Sequence, residues 1–237
     1  MKTTTALATV LLATGMVSQA QAATATFITA SPYAQFSDSP FASIASGNPN
    51  FFLETFEDGE LNTPGVSGFT GIVVGPGPTI DSVDGDDGNL NGNGNQGHSW
   101  YSNGATSLSF LFNAGTLGQL PTHVGIVWTD IGSNAGGSFG IGSFAVRAFD
   151  SAGASLGGVL FDDLGDGLVN GASAEDRFFG AIFDGGISRL TITSLDGSTD
   201  WEVDHLQYGI APVPVPGAVW MLAPALAGLV GLRRKRV

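Results

Sequence analysis

Short runs in which apolar and polar residues alternate recur along the chain. Apolar residues occupy every second position of the runs 106–112, 123–130 and 188–194. Successive side chains of a β-strand point to opposite faces, so this period of two predicts strands with one buried face. No run between residues 23 and 210 shows the sustained period of 3.6 residues that is typical of an amphipathic helix.

Turn-forming residues separate the runs. Asp58-Gly59, Asp184-Gly185-Gly186 and Asp196-Gly197 are examples, and glycine makes up 36 of the 237 residues, about twice the usual share. Ten or more short strands in about 190 residues predict an all-β fold, a two-sheet antiparallel sandwich of jelly-roll type. A solenoid is the alternative, but we find no repeat of fixed period.

The N-terminus has the order of residues expected of a cleavable signal peptide. Lys2 precedes an apolar stretch of 12 residues, 6–17, and the small residues Ala20 and Ala22 follow. Signal peptidase accepts such a small-x-small pattern. Because a membrane-spanning helix needs about 20 apolar residues, we predict a signal peptide over residues 1–22 that is cleaved after Ala22.

The C-terminus contains a second apolar segment, residues 217–232, which has no charged residue. Four cations follow it directly: Arg233, Arg234, Lys235 and Arg236. A helix of these 16 residues would rise about 24 Å, against a hydrocarbon core of about 30 Å. Snorkelling cations and an interfacial Trp220 can make up the difference. Since adjacent cations stay on the cytoplasmic side, we predict one transmembrane helix with the preceding domain outside.

The residues before and after this helix carry a family resemblance. The sequence Val-Pro-Val-Pro at 213–216, the apolar helix and the basic end together resemble the PEP-CTERM sorting signal, over about 25 residues. Val215 stands where that family usually has Glu. The resemblance implies recognition at Pro214, Val215 and Pro216 by an exosortase-type protease, cleavage nearby, and delivery to the surface of a Gram-negative bacterium. Members of the family usually come from bacteria that make exopolysaccharide or biofilm.

Between the two ends lies one acidic ectodomain. We divide the chain into the signal peptide 1–22, a β-sandwich ectodomain 23–210 and a sorting tail 211–237. All 21 acidic residues but only three arginines lie in the ectodomain, so its net charge is −18. This charge excludes nucleic acid as a partner, because phosphate binding requires a basic surface. With no cysteine in the chain, disulfides cannot stabilise the exported domain, and a structural calcium ion becomes the expected cofactor.

The densest acidic segment is the first candidate calcium site. It contains Asp81, Asp84, Asp86 and Asp87, the last three in the glycine-containing sequence 84–89, Asp-Gly-Asp-Asp-Gly-Asn. Calcium takes six to eight oxygen ligands from carboxylates, amides and carbonyls. The segment does not match an EF-hand, since glycine stands at the fifth position rather than the sixth. The alternative is a solvated turn, because Asp, Asn and Gly dominate turns.

A second candidate site joins Glu57, which follows an early run, with Asp204 in the final run, 201–208. This pairing resembles carbohydrate-binding jelly rolls, in which an early acidic residue and a late Asp hold a structural calcium ion. The apolar residues change parity within the final run, so we predict a β-bulge near Asp204 or burial on both faces. The alternative is a pair of exposed carboxylates at strand ends.

No catalytic motif is present. The three histidines lack metalloprotease spacing, and the chain has no G-x-S-x-G or P-loop sequence. We therefore predict a noncatalytic protein, anchored in the inner membrane before processing and then found at the cell surface or in the matrix, that binds extracellular polysaccharide. The alternatives are a hydrolase or lyase acting on exopolysaccharide, which needs carboxylates converging in a cleft, and a purely structural matrix protein. The sequence designates no ligand-binding residue.

Overall fold

The computed structural model describes residues 24–133, 143–162, 165 and 170–211. The predicted signal peptide with Ala22, the sorting motif Pro214-Val215-Pro216 and the anchor residues from Trp220 to Arg236 all lie outside these ranges. Within the described residues, no helix is both long and apolar enough to cross a membrane.

The described residues form twelve strands, two helical turns and three 3-10 turns. The strands are β1 (Thr26–Pro32), β2 (Phe51–Glu54), β3 (Val66–Phe69), β4 (Ile72–Val74), β5 (Ser99–Tyr101), β6 (Ser107–Phe112), β7 (His123–Ser133), β8 (Ser143–Phe149), β9 (Ser155–Asp162), β10 (Arg177–Ile182), β11 (Arg189–Ser194) and β12 (Asp200–Gly209). The helical turns are α1 (Ala42–Ala45) and α2 (Ala114–Leu117), and the 3-10 turns are Phe36–Asp38, Asp84–Asp87 and Ser173–Glu175.

The strands form two antiparallel sheets. One sheet has seven strands in the order β1-β10-β7-β12-β5-β4, with β2 also paired to β12. The other has five strands in the order β3-β6-β11-β8-β9. These sheets confirm the predicted all-β, two-sheet antiparallel sandwich.

The main core lies between the sheets and is rich in aromatic residues. Trp128 of β7 packs against Phe144 of β8 with ring centroids 5.6 Å apart, and Phe144 packs against Trp201 of β12 at 5.0 Å. Both pairs meet nearly edge to face, an arrangement that suits the aromatic quadrupole. The alternating apolar residues of the sequence therefore supply the buried faces of both sheets.

The apolar run 69–74 would be expected to form one strand, but it does not. Residues 66–69 belong to the five-stranded sheet as β3, and residues 72–74 belong to the seven-stranded sheet as β4. Between them, Thr70 and Gly71 have φ angles of 64° and 81°, which no strand accommodates. The apolar run thus turns a corner from one sheet to the other.

The last strand, β12, contains the irregularity that the sequence predicted. Its register with β7 shifts between residues 204 and 207. Trp201 and Val203 face the main core before this bulge, and Leu206 and Tyr208 face it afterwards. Every residue from 201 to 209 is buried, so both the predicted bulge and the predicted burial on two faces are confirmed.

A second cluster covers the outer face of the seven-stranded sheet. Val127 and Phe178 point away from the main core, since their neighbours Ile126 and Phe179 point into it. The fully buried members of this outer cluster are Tyr33, Phe41, Val83, Val127 and Phe178. The loops that carry Tyr33, Phe41 and Val83 therefore form a third layer, and polar side chains beneath it must find partners away from water.

Candidate metal centre

Three carboxylates from distant parts of the chain meet under these loops. Asp81, Asp130 and Glu175 each place one oxygen within 4.8 Å of the others. Their exposed fractions are 1%, 3% and 3%. Such an arrangement concentrates negative charge in a place from which water is excluded.

Strand pairing brings Asp130 and Glu175 together. Arg177, the first residue of β10, lies opposite Trp128 of β7. Because the strands are antiparallel, the chain that precedes β10 runs alongside the residues that follow Trp128. The 3-10 turn Ser173–Glu175 thereby delivers Glu175 to Asp130.

Asp81 comes from the connection between β4 and β5. Its backbone N–H donates to Glu202 Oε2 at 2.8 Å, which ties it to β12. Next to it, Ser82 packs so closely on Gly94 that a Cβ at Gly94 would overlap the Ser82 carbonyl oxygen. Glycine at position 94 is what allows the acidic connection to approach the sheet.

Asp176 adds a fourth carboxyl group beside the three. It is completely buried, and in the described part of the chain neither of its oxygens has a hydrogen-bond partner. Burial, together with the negative charges of Asp81 and Glu175, raises the pKa of Asp176 well above its usual range. An ionised carboxylate buried without a partner costs several kcal/mol, so Asp176 must be protonated or neutralised by a cation.

The ligand chemistry favours calcium for this group, which we call the oxygen cluster: the three convergent carboxylates Asp81, Asp130 and Glu175, together with the neighbouring Asp176. All four side chains offer carboxylate oxygens, the ligands that hard divalent cations prefer. Calcium tolerates irregular sets of six to eight oxygens, whereas magnesium requires a near-ideal octahedron and keeps several waters. Backbone carbonyls and water would have to complete the set.

A second group joins Asp86, Asp204 and His205, which also place one ligand atom each within 4.8 Å of one another. His205 Nε2 lies 2.7 Å from Asp86 Oδ1, and His205 Nδ1 lies 2.7 Å from the Tyr33 hydroxyl. Since Gln207 donates to the Tyr33 oxygen at 3.0 Å, the hydroxyl proton goes to Nδ1. His205 Nε2–H then donates to Asp86.

This histidine group is a connected hydrogen-bond network. Asp204 Oδ2 accepts the N–H of Val83 at 2.9 Å, and Asp204 Oδ1 accepts the N–H of His205 at 2.5 Å. Burial and the neighbouring Asp86 raise the pKa of Asp204 well above its usual range. The network secures the bulge of β12 to the outer layer, so the oxygen cluster is the better candidate for a metal.

The residues predicted from the acidic segment have different surroundings. Asp84 Oδ1 accepts three backbone N–H groups, from Asn91 at 3.1 Å, Gly92 at 2.9 Å and Asn93 at 3.0 Å. Asp87 is exposed, and its Oδ1 accepts the N–H of the residue two positions later, which forms a local turn. Asp84 thus organises the loop from within, whereas Asp87 stabilises a turn at its surface.

Glu57 lies against His98. Its Oε1 accepts the His98 N–H at 2.5 Å, and its Oε2 lies 3.5 Å from the ring Nδ1. The structure therefore brings Asp86 and Asp204 together but places Glu57 in a different set of contacts. Sequence reasoning missed Asp130, Glu175 and Asp176, whose only signal was acidic residues at the ends of apolar runs.

Substitutions at Asp84 test whether it acts as a hydrogen-bond acceptor for the loop backbone and not as a metal ligand. Asp84→Ala should reduce the free energy of unfolding by about 2–3 kcal/mol, because three partly buried backbone N–H groups lose their common acceptor. Asp84→Asn retains a side-chain oxygen and should cost about 1 kcal/mol or less. Urea unfolding with chelator present measures both. Equal losses in the two variants would contradict this role.

Comparisons with known proteins identify distant likenesses in fold. No family model matches the chain, and no curated protein matches it. The K2 cleaved adhesin domain of Lys-gingipain is 12% identical, with a TM-score of 0.40 over 67% of this chain and 97% of that one. The lectin domain of lectinolysin, solved with Lewis B antigen, is 13% identical, with a TM-score of 0.32 over 64% of this chain and 95% of that one. These proteins are similar to this chain in having a β-sandwich.

Proposed function

We propose that this chain is an exported, noncatalytic carbohydrate-binding protein of the cell surface or matrix, whose sandwich holds a structural calcium ion in the oxygen cluster. The observation that carries the metal site is Asp176, a fully buried carboxyl group that has no hydrogen-bond partner among the described residues. It follows Glu175, one of the three buried carboxylates whose oxygens lie within 4.8 Å of one another. A divalent cation neutralises such a group and supplies the missing partner.

The strand order supports a jelly-roll type of sandwich. The order β5-β12-β7-β10 in one sheet and β6-β11-β8-β9 in the other is what two interlocked Greek keys produce. In this arrangement the oxygen cluster receives residues from β7 and from two connections, β4 to β5 and β9 to β10. A bound ion would tie both connections to the sheet.

Export and polysaccharide binding rest on the ends of the sequence. Delivery to a cation-rich exterior is supported by the signal-peptide pattern, by the resemblance to a PEP-CTERM tail and by the net charge of −18 between residues 23 and 210. The exopolysaccharide of such bacteria is the partner that the resemblance implies. The buried position of the convergent carboxylates favours a structural ion over glycoside cleavage, which needs them in a cleft open to substrate.

Calorimetric titration of the full-length protein with calcium tests the metal site. We expect one saturable site, weakened about tenfold or more by Asp130→Asn, since a ligand charge is lost. Asp87→Asn is the matched control, because it removes one exposed carboxylate from the surface turn. Should only Asp87→Asn weaken calcium, the site would lie in the acidic segment instead.

A glycan array tests carbohydrate binding, with calcium present throughout. Binding to any extracellular polysaccharide supports the proposal. The purely structural alternative predicts no binding to any neutral or acidic glycan. A melting curve verifies that the protein tested is folded.

A further inference from the structure

The outer face of the five-stranded sheet carries a row of side chains that crosses all five strands. The row begins at Phe69 on β3 and continues through the residues directly opposite on each next strand: Ser109 on β6, Thr191 on β11, Arg147 on β8 and Gly158 on β9. Neighbouring strands are about 4.8 Å apart, so the row is about 19 Å long. This length suits an extended polymer better than a single small molecule.

Arg147 of this row and its neighbour Arg189 are two of the three arginines between residues 23 and 210. Arg147 lies opposite Thr191, and Arg189 lies two residues away on the same strand, so the two are diagonal neighbours. Side chains in this relation come close enough to interact. Within the described residues, neither guanidinium group lies within 4.0 Å of a carboxylate, although acidic residues outnumber arginines by 21 to 3 in this domain.

Packing positions the side chains of both arginines, of which Arg147 is exposed and Arg189 is partly exposed. The Arg189 guanidinium carbon lies 4.0 Å above the centre of the Phe149 ring. At Gly158 a Cβ would stand 2.7 Å from Arg147 Cγ, so the glycine leaves room for the arginine stem. Two like charges side by side are unfavourable, and they call for an anion from outside.

The remainder of the row is suited to sugar. The hydroxyls of Ser109 and Thr191 lie 2.9 Å apart and form a flat polar strip. Phe69, at the edge of the sheet, is 68% exposed, and an exposed ring can stack on the apolar face of a pyranose.

We infer that this face binds an acidic polysaccharide, with its carboxylate or sulfate groups on Arg147 and Arg189 and a sugar ring on Phe69. Guanidinium groups hold such anions through paired hydrogen bonds. The net negative charge of this region opposes an anionic polymer as a whole, so binding would depend on these two local cations. The inference rests on the proposed carbohydrate-binding function and names its site and substrate class.

Binding of the full-length protein to three immobilised polymers, with calcium present, tests the inference. The polymers are hyaluronate, which is carboxylated, dextran sulfate, and neutral dextran. We expect binding to an acidic polymer that falls about tenfold or more in Arg147→Gln/Arg189→Gln and weakens with salt. Hyaluronate binding alone identifies uronate as the anion, and dextran sulfate binding alone identifies sulfate.

Arg177→Gln is the control matched in residue type and charge. Its guanidinium donates to the carbonyls of Ala174 and Asp176, away from this face, and we expect affinity within about twofold of wild type. Melting curves verify that each variant is folded. Equal binding by the double arginine variant, or wild-type binding to dextran as strong as to the acidic polymers, overturns the inference and leaves the proposed function standing. If the wild-type protein binds none of the three polymers and no glycan on the array, the proposed carbohydrate-binding function is itself wrong.

Discussion

Asp176→Asn should stabilise the cation-free protein and destabilise the calcium-loaded protein. Without a cation, the substitution removes a buried carboxyl group that burial and neighbouring carboxylates hold at a raised pKa, and a gain of about 1–3 kcal/mol at pH 8 follows. With calcium bound, the same change deletes a negative charge next to the proposed ion and should cost about as much. A reversal of sign distinguishes a metal ligand from a residue needed only for packing.

Thermal unfolding in chelator and in excess calcium measures both effects. For a domain of this size, 1 kcal/mol corresponds to about 2–4 °C in Tm. Asp87→Asn, which alters an exposed turn, should shift Tm by about 1 °C or less in both conditions. If the Asp176→Asn protein is less stable than wild type in chelator, the buried carboxyl group does not destabilise the cation-free protein and the prediction is wrong.

The second large effect is an unusual dependence of stability on pH. In chelator, the protein should become more stable as the pH falls from about 7 to about 5. Burial raises the pKa of Glu202 to about 7, against an ordinary value of 4.5. The folded state therefore binds a proton that the unfolded state releases in this range, and stability declines as the pH rises. A shift of this size corresponds to about 3 kcal/mol, and Asp176 acts in the same direction.

One group opposes this trend. Burial lowers the pKa of His123, so the folded state is less readily protonated there and stability is lost as the pH falls below about 6.5. Glu202 and Asp176 both act against this single histidine, so the carboxyl groups should prevail. Urea unfolding at pH 5, 6 and 7 measures the net effect.

Glu202→Gln is the matching variant for the pH experiment. It retains an oxygen for the hydrogen bonds from Ser99 Oγ at 2.7 Å and from the Asp81 N–H at 2.8 Å. The slope between pH 5 and 7 should become flatter in this variant, since a titrating group is removed. Wild-type stability that decreases steadily from pH 7 to pH 5 in chelator would contradict the raised pKa.

The two effects have a common origin in the third layer of the fold. Loops cover the outer face of the seven-stranded sheet, so residues that an ordinary sandwich would expose to water are buried. Glu202 and Asp204 lie on that face of β12, and Asp130 lies opposite Glu202 on β7. A sheet face that is polar in sequence but buried in space becomes a place where protons or cations must bind.

The strands themselves were determined by the sequence. Alternation with a period of two depends on adjacent residues, and glycine-rich turns depend on local backbone preferences, so both can be read without knowledge of the fold. The bulge of β12 could be predicted for the same reason, because the parity of its apolar residues changes within one strand. The concentration of acidic residues between residues 23 and 210 likewise predicted a cation site before any contact was known, and calcium binding stays a prediction.

Only the tertiary structure decided which carboxylates meet. Asp81, Asp130 and Glu175 are separated by 45 or more residues, and they converge because β7 pairs with β10 while a glycine lets the acidic connection approach the sheet. The corner at Thr70 and Gly71 likewise depends on which sheet each half of the run joins. Antiparallel pairing between distant segments creates these neighbours, and no local pattern of side chains records that pairing.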